Sequence, residues 1–226
     1  MMRQTLIIFA KTPRQGLVKS RLARDIGAGA ATRWYRQNLA ATLRRLGLTK
    51  RWECHIIAAP HHASDWPWPT PWRFSHQARG DLGQRMLTAL RSVSKGPVVL
   101  IGSDIPGIEP RHIAAAFRML GRNDAVFGPS SDGGYWLVGF SPRYRGNPFT
   151  DVRWSTKWAL EDTVAGLQSG TKVGFVSEMQ DVDEGSDLAA SGRNSELRQA
   201  ERPNSSCSRK RGMISTKLHG LNRISS

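Results

Sequence analysis

Short apolar runs alternate along this chain with longer stretches whose apolar residues recur every three or four positions. Thr5 to Ala10 reads as a first strand, and Pro13 breaks it by removing a backbone donor. From Ala30 to Leu46 the positions Ala31, Tyr35, Leu39, Leu43 and Leu46 fall at helical spacing, with Gly47 as the stop. Trp52 to Ala59 is a second strand, in which His55 is a sheet residue. His61 to Pro71 is rich in Pro and Trp and reads as an irregular connection. Met86, Leu87, Leu90 and Val93 mark a helix, and Val98 to Ile101 is apolar throughout, as a strand buried on both faces must be. Glu109-Pro110 opens a helix with Ile113, Phe117 and Leu120 inside and Gly121 at its end. Asp124 to Phe127 and Trp136 to Phe140 are strands flanking the hairpin-like turn Asp132-Gly133-Gly134. Ser155-Thr156 is placed to cap a helix through Leu167, Gly170 ends it, and Lys172 to Val176 is the last strand.

Strands alternating with helices predict an α/β fold with a mainly parallel central sheet and helices on both faces. Beyond Ser191 the periodicity is lost and Ser, Asn, Arg and Gly dominate. The expected organisation is therefore one domain over residues 1–190 and a basic, disordered tail over 191–226.

Composition narrows the classes. The chain has 226 residues and two distant cysteines, Cys54 and Cys207, which make neither a disulfide framework nor a metal cluster. No apolar run reaches the roughly 20 residues of a membrane span, and a cytoplasmic location is the expectation. The net charge of +15 raises the question of nucleic acid, but eight Lys/Arg against two acids lie from Ser191 onward, leaving +9 on the remainder. That remainder suits phosphate ligands, and no nucleic-acid partner is expected.

The candidate chemistry lies after the strands. Lys11-Thr12-Pro13-Arg14-Gln15-Gly16-Leu17-Val18-Lys19-Ser20-Arg21 puts four of its basic residues around a glycine directly after the first strand, a place for a polyphosphate, although the P-loop spacing is absent. Its bland alternative is a solvated basic turn. Gly80-Asp81-Leu82-Gly83 can bring backbone amides to a ligand, or can simply start a helix with Asp81 as its cap. Asp104 follows the all-apolar strand, Asp132 sits in the hairpin, and Asp181 and Asp183 follow the last strand. In a parallel sheet the carboxyl ends share an edge, so cations of the first loop and carboxylates of later loops should meet there, as polyphosphate with a divalent ion requires.

These residues resemble a family. Lys11-x-Pro13-x-x-Gly16-x-x-Lys19-x-Arg21-Leu22, Gly80-Asp81-Leu82-Gly83-x-Arg85-Met86, Gly102-Ser103-Asp104-x-Pro106, Gly128-Pro129-x-x-Asp132-Gly133-Gly134-Tyr135, Trp154-Ser155-Thr156 and Asp181-Val182-Asp183 look like the DUF2064 group of GT-A-fold glycosyltransferase-like proteins. More distantly they are similar to phospholactate and molybdenum cofactor guanylyltransferases. The resemblance spans residues 5 to about 190 and implies a Rossmann-like nucleotide-diphospho-sugar transferase fold. It implies a nucleotide over the first strand, with Lys11, Lys19 and Arg21 near its phosphates; Gly16, Gly80, Asp81 and Gly83 are candidate nucleotide contacts from their loop positions. It further implies Mg²⁺ or Mn²⁺ held by Asp104 with Asp183, Asp181 being the alternative, and an acceptor or sugar facing Gly133, Gly134 and Tyr135. Two departures stand out: Gly102-Ser103-Asp104 has one acid where glycosyltransferases have Asp-x-Asp, and Glu184-Gly185 follows Asp183 where relatives have Thr.

The expected function is group transfer from a nucleotide-activated donor, a nucleotide sugar, to a small-molecule acceptor, with Asp132 as the candidate base and Asp151 in reserve. The rivals are a nucleotidyltransferase using a nucleoside triphosphate, and a non-catalytic nucleotide or nucleic-acid binder.

Overall fold

The computed structural model describes residues 2–59, 61–93 and 96–188, apart from the side chains of His61 and His62. The expected tail from Ser191 lies outside the described residues.

Among the described residues seven strands form one sheet: β1 (Thr5–Lys11), β2 (Glu53–Ala59), β3 (Arg73–His76), β4 (Val98–Gly102), β5 (Ala125–Pro129), β6 (Tyr135–Phe140) and β7 (Val173–Phe175). Their order is β3-β2-β1-β4-β6-β5-β7. All neighbours pair in parallel except β6, which runs antiparallel to both β4 and β5. The carboxyl ends of the six parallel strands and the amino end of β6 therefore share one edge.

The continuous apolar runs are explained by burial on both faces. Along β1, Leu6, Ile8 and Ala10 enter one core and Ile7 the other, because successive side chains point to opposite faces. The first core packs under α2 (Ala28–Gly47) through Tyr35, Leu39, Leu43 and Leu46, and under α4 (Pro110–Leu120) through Ile113, Phe117 and Leu120. The second packs under α3 (Leu82–Ser92) through Met86, Ala89 and Leu90, with Leu160 and Val164 of α5 (Ala159–Ala165) against it. Each of these fully buried Leu, Ile or Val side chains contributes about 1.5–3 kcal/mol.

Several elements differ from expectation. The basic segment after β1 is not all loop: Ser20–Ile26 forms α1, in which Leu22 alone is buried. The irregular connection begins with a 3₁₀ turn at His61–Asp65 and leads into edge strand β3, whose residues are mostly exposed and carry no alternating pattern. Helix α5 starts at Ala159, later than the Ser155-Thr156 pair suggests, with Trp158 at its N-cap. The Thr156 hydroxyl accepts from the Trp158 amide at 3.2 Å instead. The last strand is shorter than Lys172–Val176, at Val173–Phe175.

Candidate nucleotide and phosphate site

A cavity of about 500 Å³ opens at the shared strand edge, lined by Lys11, Lys19, Tyr35, Arg85, Asp104, Asp132, Tyr135, Trp154, Asp181 and Asp183 among others. Residues far apart in the sequence, from Lys11 to Asp183, meet in it. Lys19, the residue before α1, has φ 51 and ψ 49, a left-handed conformation that costs a non-glycine residue about 1–2 kcal/mol. Its ammonium lies 2.8 Å from Asp104 Oδ2 and 2.8 Å from Asp183 Oδ1, and its side chain is 3 % exposed. Burial works against that charge, but Asp104 and Asp183 outweigh it and raise the lysine above its ordinary range.

Asp104 is fixed from behind. Its Oδ1 accepts from Ser103 Oγ at 3.1 Å. Ser103 Oγ is 2.9 Å from the Tyr35 hydroxyl, and Asn38 donates to the Ser103 carbonyl at 3.0 Å. Tyr35 also accepts from the Lys11 amide at 3.0 Å, so helix α2 ties the ends of β1 and β4 together. Burial, and then the Asp104 charge, push the Tyr35 phenol well above its usual range, so it acts as a neutral hydrogen-bonding post.

The acidic segment after β7 follows a period of two. Val182 is buried against Leu22 and Ala31, and Asp181 and Asp183 on either side of it line the cavity. The segment is tied to the loop after β4 by the Val182 amide donating to the Asp104 carbonyl at 3.4 Å, and to β5 by the Met179 amide donating to the Pro129 carbonyl at 3.1 Å. Burial first, then the charges of Asp132 and Asp183, raise the Asp181 carboxyl to about 6. Arg21 lies outside the lining but reaches Asp183 Oδ2 at 3.4 Å.

At the far wall, Arg85 donates to Gln77 Oε1 at 2.7 Å and to the Asp81 carbonyl at 3.2 Å. Gln77 is itself buried and donates to the carbonyls of Ala10 and Ile57 at 3.0 and 3.3 Å. The guanidinium is thus anchored to β1 and β2 through one amide side chain.

The other expected residues divide. Gly134 and Tyr135 line the cavity; Gly133, at φ +83, instead packs on the Lys157 backbone. Asp132 lines it and also accepts from the Gly134 amide at 2.9 Å, so one oxygen holds its own turn. Asp81 caps α3 by accepting from the Gln84 amide at 2.8 Å. Gly16, Gly80, Asp81, Gly83 and Asp151 are absent from the lining, and Asp151 is exposed. Sequence reasoning did not single out Tyr35, Ser103, Gln77 or Arg85 as site residues. Ser103 and Arg85 lie within motifs that carry the family resemblance; the pattern around Tyr35 shows only helical spacing.

The donors suit a hard divalent cation: Asp104 and Asp183 supply oxygen alone and converge on one cationic point, here the lysine ammonium. Among the described residues no three acidic, histidine or cysteine side chains form a ready-made cage. Two carboxylates completed by water and phosphate oxygens are the arrangement Mg²⁺ commonly takes.

This sheet, mostly parallel with one reversed strand, is the fold of nucleotide-diphospho-sugar transferases. A protein from Desulfovibrio desulfuricans G20, provisionally named a nucleotide-diphospho-sugar transferase, is similar with a TM-score of 0.79 and 29% identity over 90% of this chain and 92% of that one. The 4-diphosphocytidyl-2C-methyl-D-erythritol synthase of Anaerococcus prevotii DSM 20548 shares the fold with a TM-score of 0.55 and 10% identity, over 85% and 96% of the two chains. A CMP:2-keto-3-deoxy-manno-octonic acid synthetase complexed with CTP does so with a TM-score of 0.55 and 10% identity, over 87% and 99%. The chain belongs to the DUF2064 family, described as "uncharacterized protein conserved in bacteria", whose model matches residues 42–156. No curated protein matches it. No helix among the described residues is long and apolar enough to cross a membrane.

Proposed function

We propose that this protein is a transferase that takes a nucleotide-activated donor, a nucleotide sugar, and passes its glycosyl group to a small-molecule acceptor. The observation that supports it most is the meeting of Lys19 with Asp104 and Asp183 at the cavity rim, cation and carboxylates from three separate strand ends. A donor diphosphate needs positive charge for its oxygens and an anchored acid pair for a divalent ion. In this reading Lys11, Lys19 and Arg21 bind phosphate oxygens, and Asp104 and Asp183 hold Mg²⁺ or Mn²⁺. When bound, that ion neutralises the departing diphosphate. Arg85 faces the donor or acceptor from the opposite wall.

Asp132 lines the cavity with one carboxylate oxygen free of its turn, and is the candidate to take the acceptor's proton. Asp151 is exposed and outside the lining, which leaves it a weaker choice. Gly134 and Tyr135 border the same space and would face the sugar or acceptor.

One observation favours a second reading. The β4 loop offers a single acid, Asp104, and its neighbour Ser103 is buried and turned back to Tyr35. Such a loop also suits nucleotidyl transfer, in which the same cations stabilise attack on the α-phosphate of a nucleoside triphosphate.

Thermal shift with nucleotide sugars and nucleoside triphosphates, with and without Mg²⁺, separates the two. Metal-dependent stabilisation by a nucleotide sugar and release of nucleoside diphosphate on adding acceptor are expected. Preference for a triphosphate with pyrophosphate release would establish the second reading, and no response to either class would discard both. Asp104→Ala should abolish the metal dependence while the protein stays folded.

A further inference from the structure

We infer that Lys19 is a built-in counter-cation for the Asp104–Asp183 pair, so that a divalent ion gains these carboxylates only after a polyphosphate has drawn the ammonium away. This rests on the nucleotide-transferase reading above and adds a binding order to it.

All four oxygens of the pair are already engaged by the protein. Asp104 Oδ1 accepts from Ser103 Oγ at 3.1 Å and Oδ2 from Lys19 Nζ at 2.8 Å. Asp183 Oδ1 accepts from the same Nζ at 2.8 Å, and Oδ2 from Arg21 at 3.4 Å. The ammonium is enclosed: its side chain is 3 % exposed, and it lies 5.8 Å from the centre of the Trp34 ring. An ion entering alone would have to break both of the lysine's 2.8 Å ion pairs inside an enclosed site, or sit beside the ammonium against like-charge repulsion.

A polyphosphate changes that balance. Lys19 lines the cavity, and its four-carbon stem lets the charge swing while its backbone stays at the start of α1. Phosphate oxygens in the cavity give the ammonium a new partner of the same sign as the one it leaves. The carboxylate pair, stripped of its cation, is then free for a divalent ion that also binds the phosphates. Polyphosphate first and metal second is the consequence, with weak metal binding to the protein alone.

The test measures Mn²⁺ binding to the full chain by electron paramagnetic resonance, without nucleotide, in the wild type and in Lys19→Met. The variant should bind Mn²⁺ at least tenfold more tightly, and adding Asp104→Asn to it should remove the gain. A second measurement needs no variant: the ¹⁵N signal of the Lys19 ammonium should be unmoved by millimolar Mg²⁺ alone, and should shift with inorganic pyrophosphate in EDTA. Equal Mn²⁺ affinity in both proteins, no Mn²⁺ binding to either, or loss of the lysine signal with Mg²⁺ alone would each overturn the inference. Those results leave the donor assay untouched. Conversely, a lysine signal that behaves as stated, with no turnover of any nucleotide sugar or triphosphate, would discard the transferase reading and keep the role of Lys19.

Discussion

The Tyr35 hydroxyl stands 2.9 Å from Ser103 Oγ, and through that contact a helix on one face of the sheet reaches the carboxylate at its edge. The same hydroxyl accepts a hydrogen bond from the Lys11 amide, so one oxygen fixes the ends of two strands.

Tyr35→Phe keeps the ring in its core and deletes only this post. The Lys11 amide loses its side-chain acceptor, and Ser103 loses a partner. Unsatisfied buried groups of this kind cost about 1–3 kcal/mol each. Chemical denaturation should show a loss in that range, and metal-dependent stabilisation by nucleotide should weaken. A variant as stable and as responsive as the wild type would mean that Asp104 needs no such support.

Gln77 performs a similar service on the opposite wall. Gln77→Leu removes the acceptor of Arg85 and the donor of two strand carbonyls. The expected result is a stability loss of about 1–3 kcal/mol together with a several-fold rise in the dissociation constant of the nucleotide ligand. Arg85→Gln should reproduce the affinity loss with a smaller stability change, measured by calorimetric titration.

Gly133 holds the hairpin against the loop before α5. Its φ of +83 is left-handed, and a Cβ there would run into the Lys157 carbonyl. Gly133→Ala should therefore destabilise by at least about 2 kcal/mol, from backbone strain plus overpacking. It should also shift the fluorescence of Trp154 and Trp158, which belong to that loop. An unchanged melting temperature would contradict the packing described.

The loop carries a pH signature of its own. Hydrogen bonds from the Arg153 side chain and from its amide, opposed by slight burial, hold the Asp162 carboxyl at about 2. A folded value below the unfolded one means that the stabilisation is present above about pH 4 and is lost as pH falls towards 2. Asp162→Asn should thus lower the melting temperature at pH 7 and converge on the wild type near pH 2. Parallel melting curves across that range would refute the pairing.

How much of this was legible beforehand depends on what a residue pattern can encode. Val98 to Ile101 announced itself because a strand covered on both faces has to be apolar throughout. Asp104, Asp132, Asp181 and Asp183 could be placed on one edge because parallel strands share their carboxyl ends. Helix α1 escaped notice because seven residues with one buried leucine carry no period. Strand β3 escaped because an exposed edge has no alternation to show. For Tyr35, spacing revealed the side of the helix it occupies, but spacing records a direction and not what the tip of a side chain touches. Lys19 was legible as a cation near a glycine; that it is already neutralised by two acids is a property of closure in three dimensions, as is the selection of Arg85 by a buried amide.

Lys19 and Asp183 are 164 positions apart. At a synthesis rate of about 5–20 residues per second, the lysine leaves the ribosome roughly ten to thirty seconds before its partner. All seven strands precede Asp183, and the sheet's last strand ends at Phe175. A nascent chain can therefore assemble its scaffold while the acidic pair is still half missing. Completion of the site therefore waits for a residue that follows every strand of the sheet, so competence for ligand comes after the scaffold and not with it.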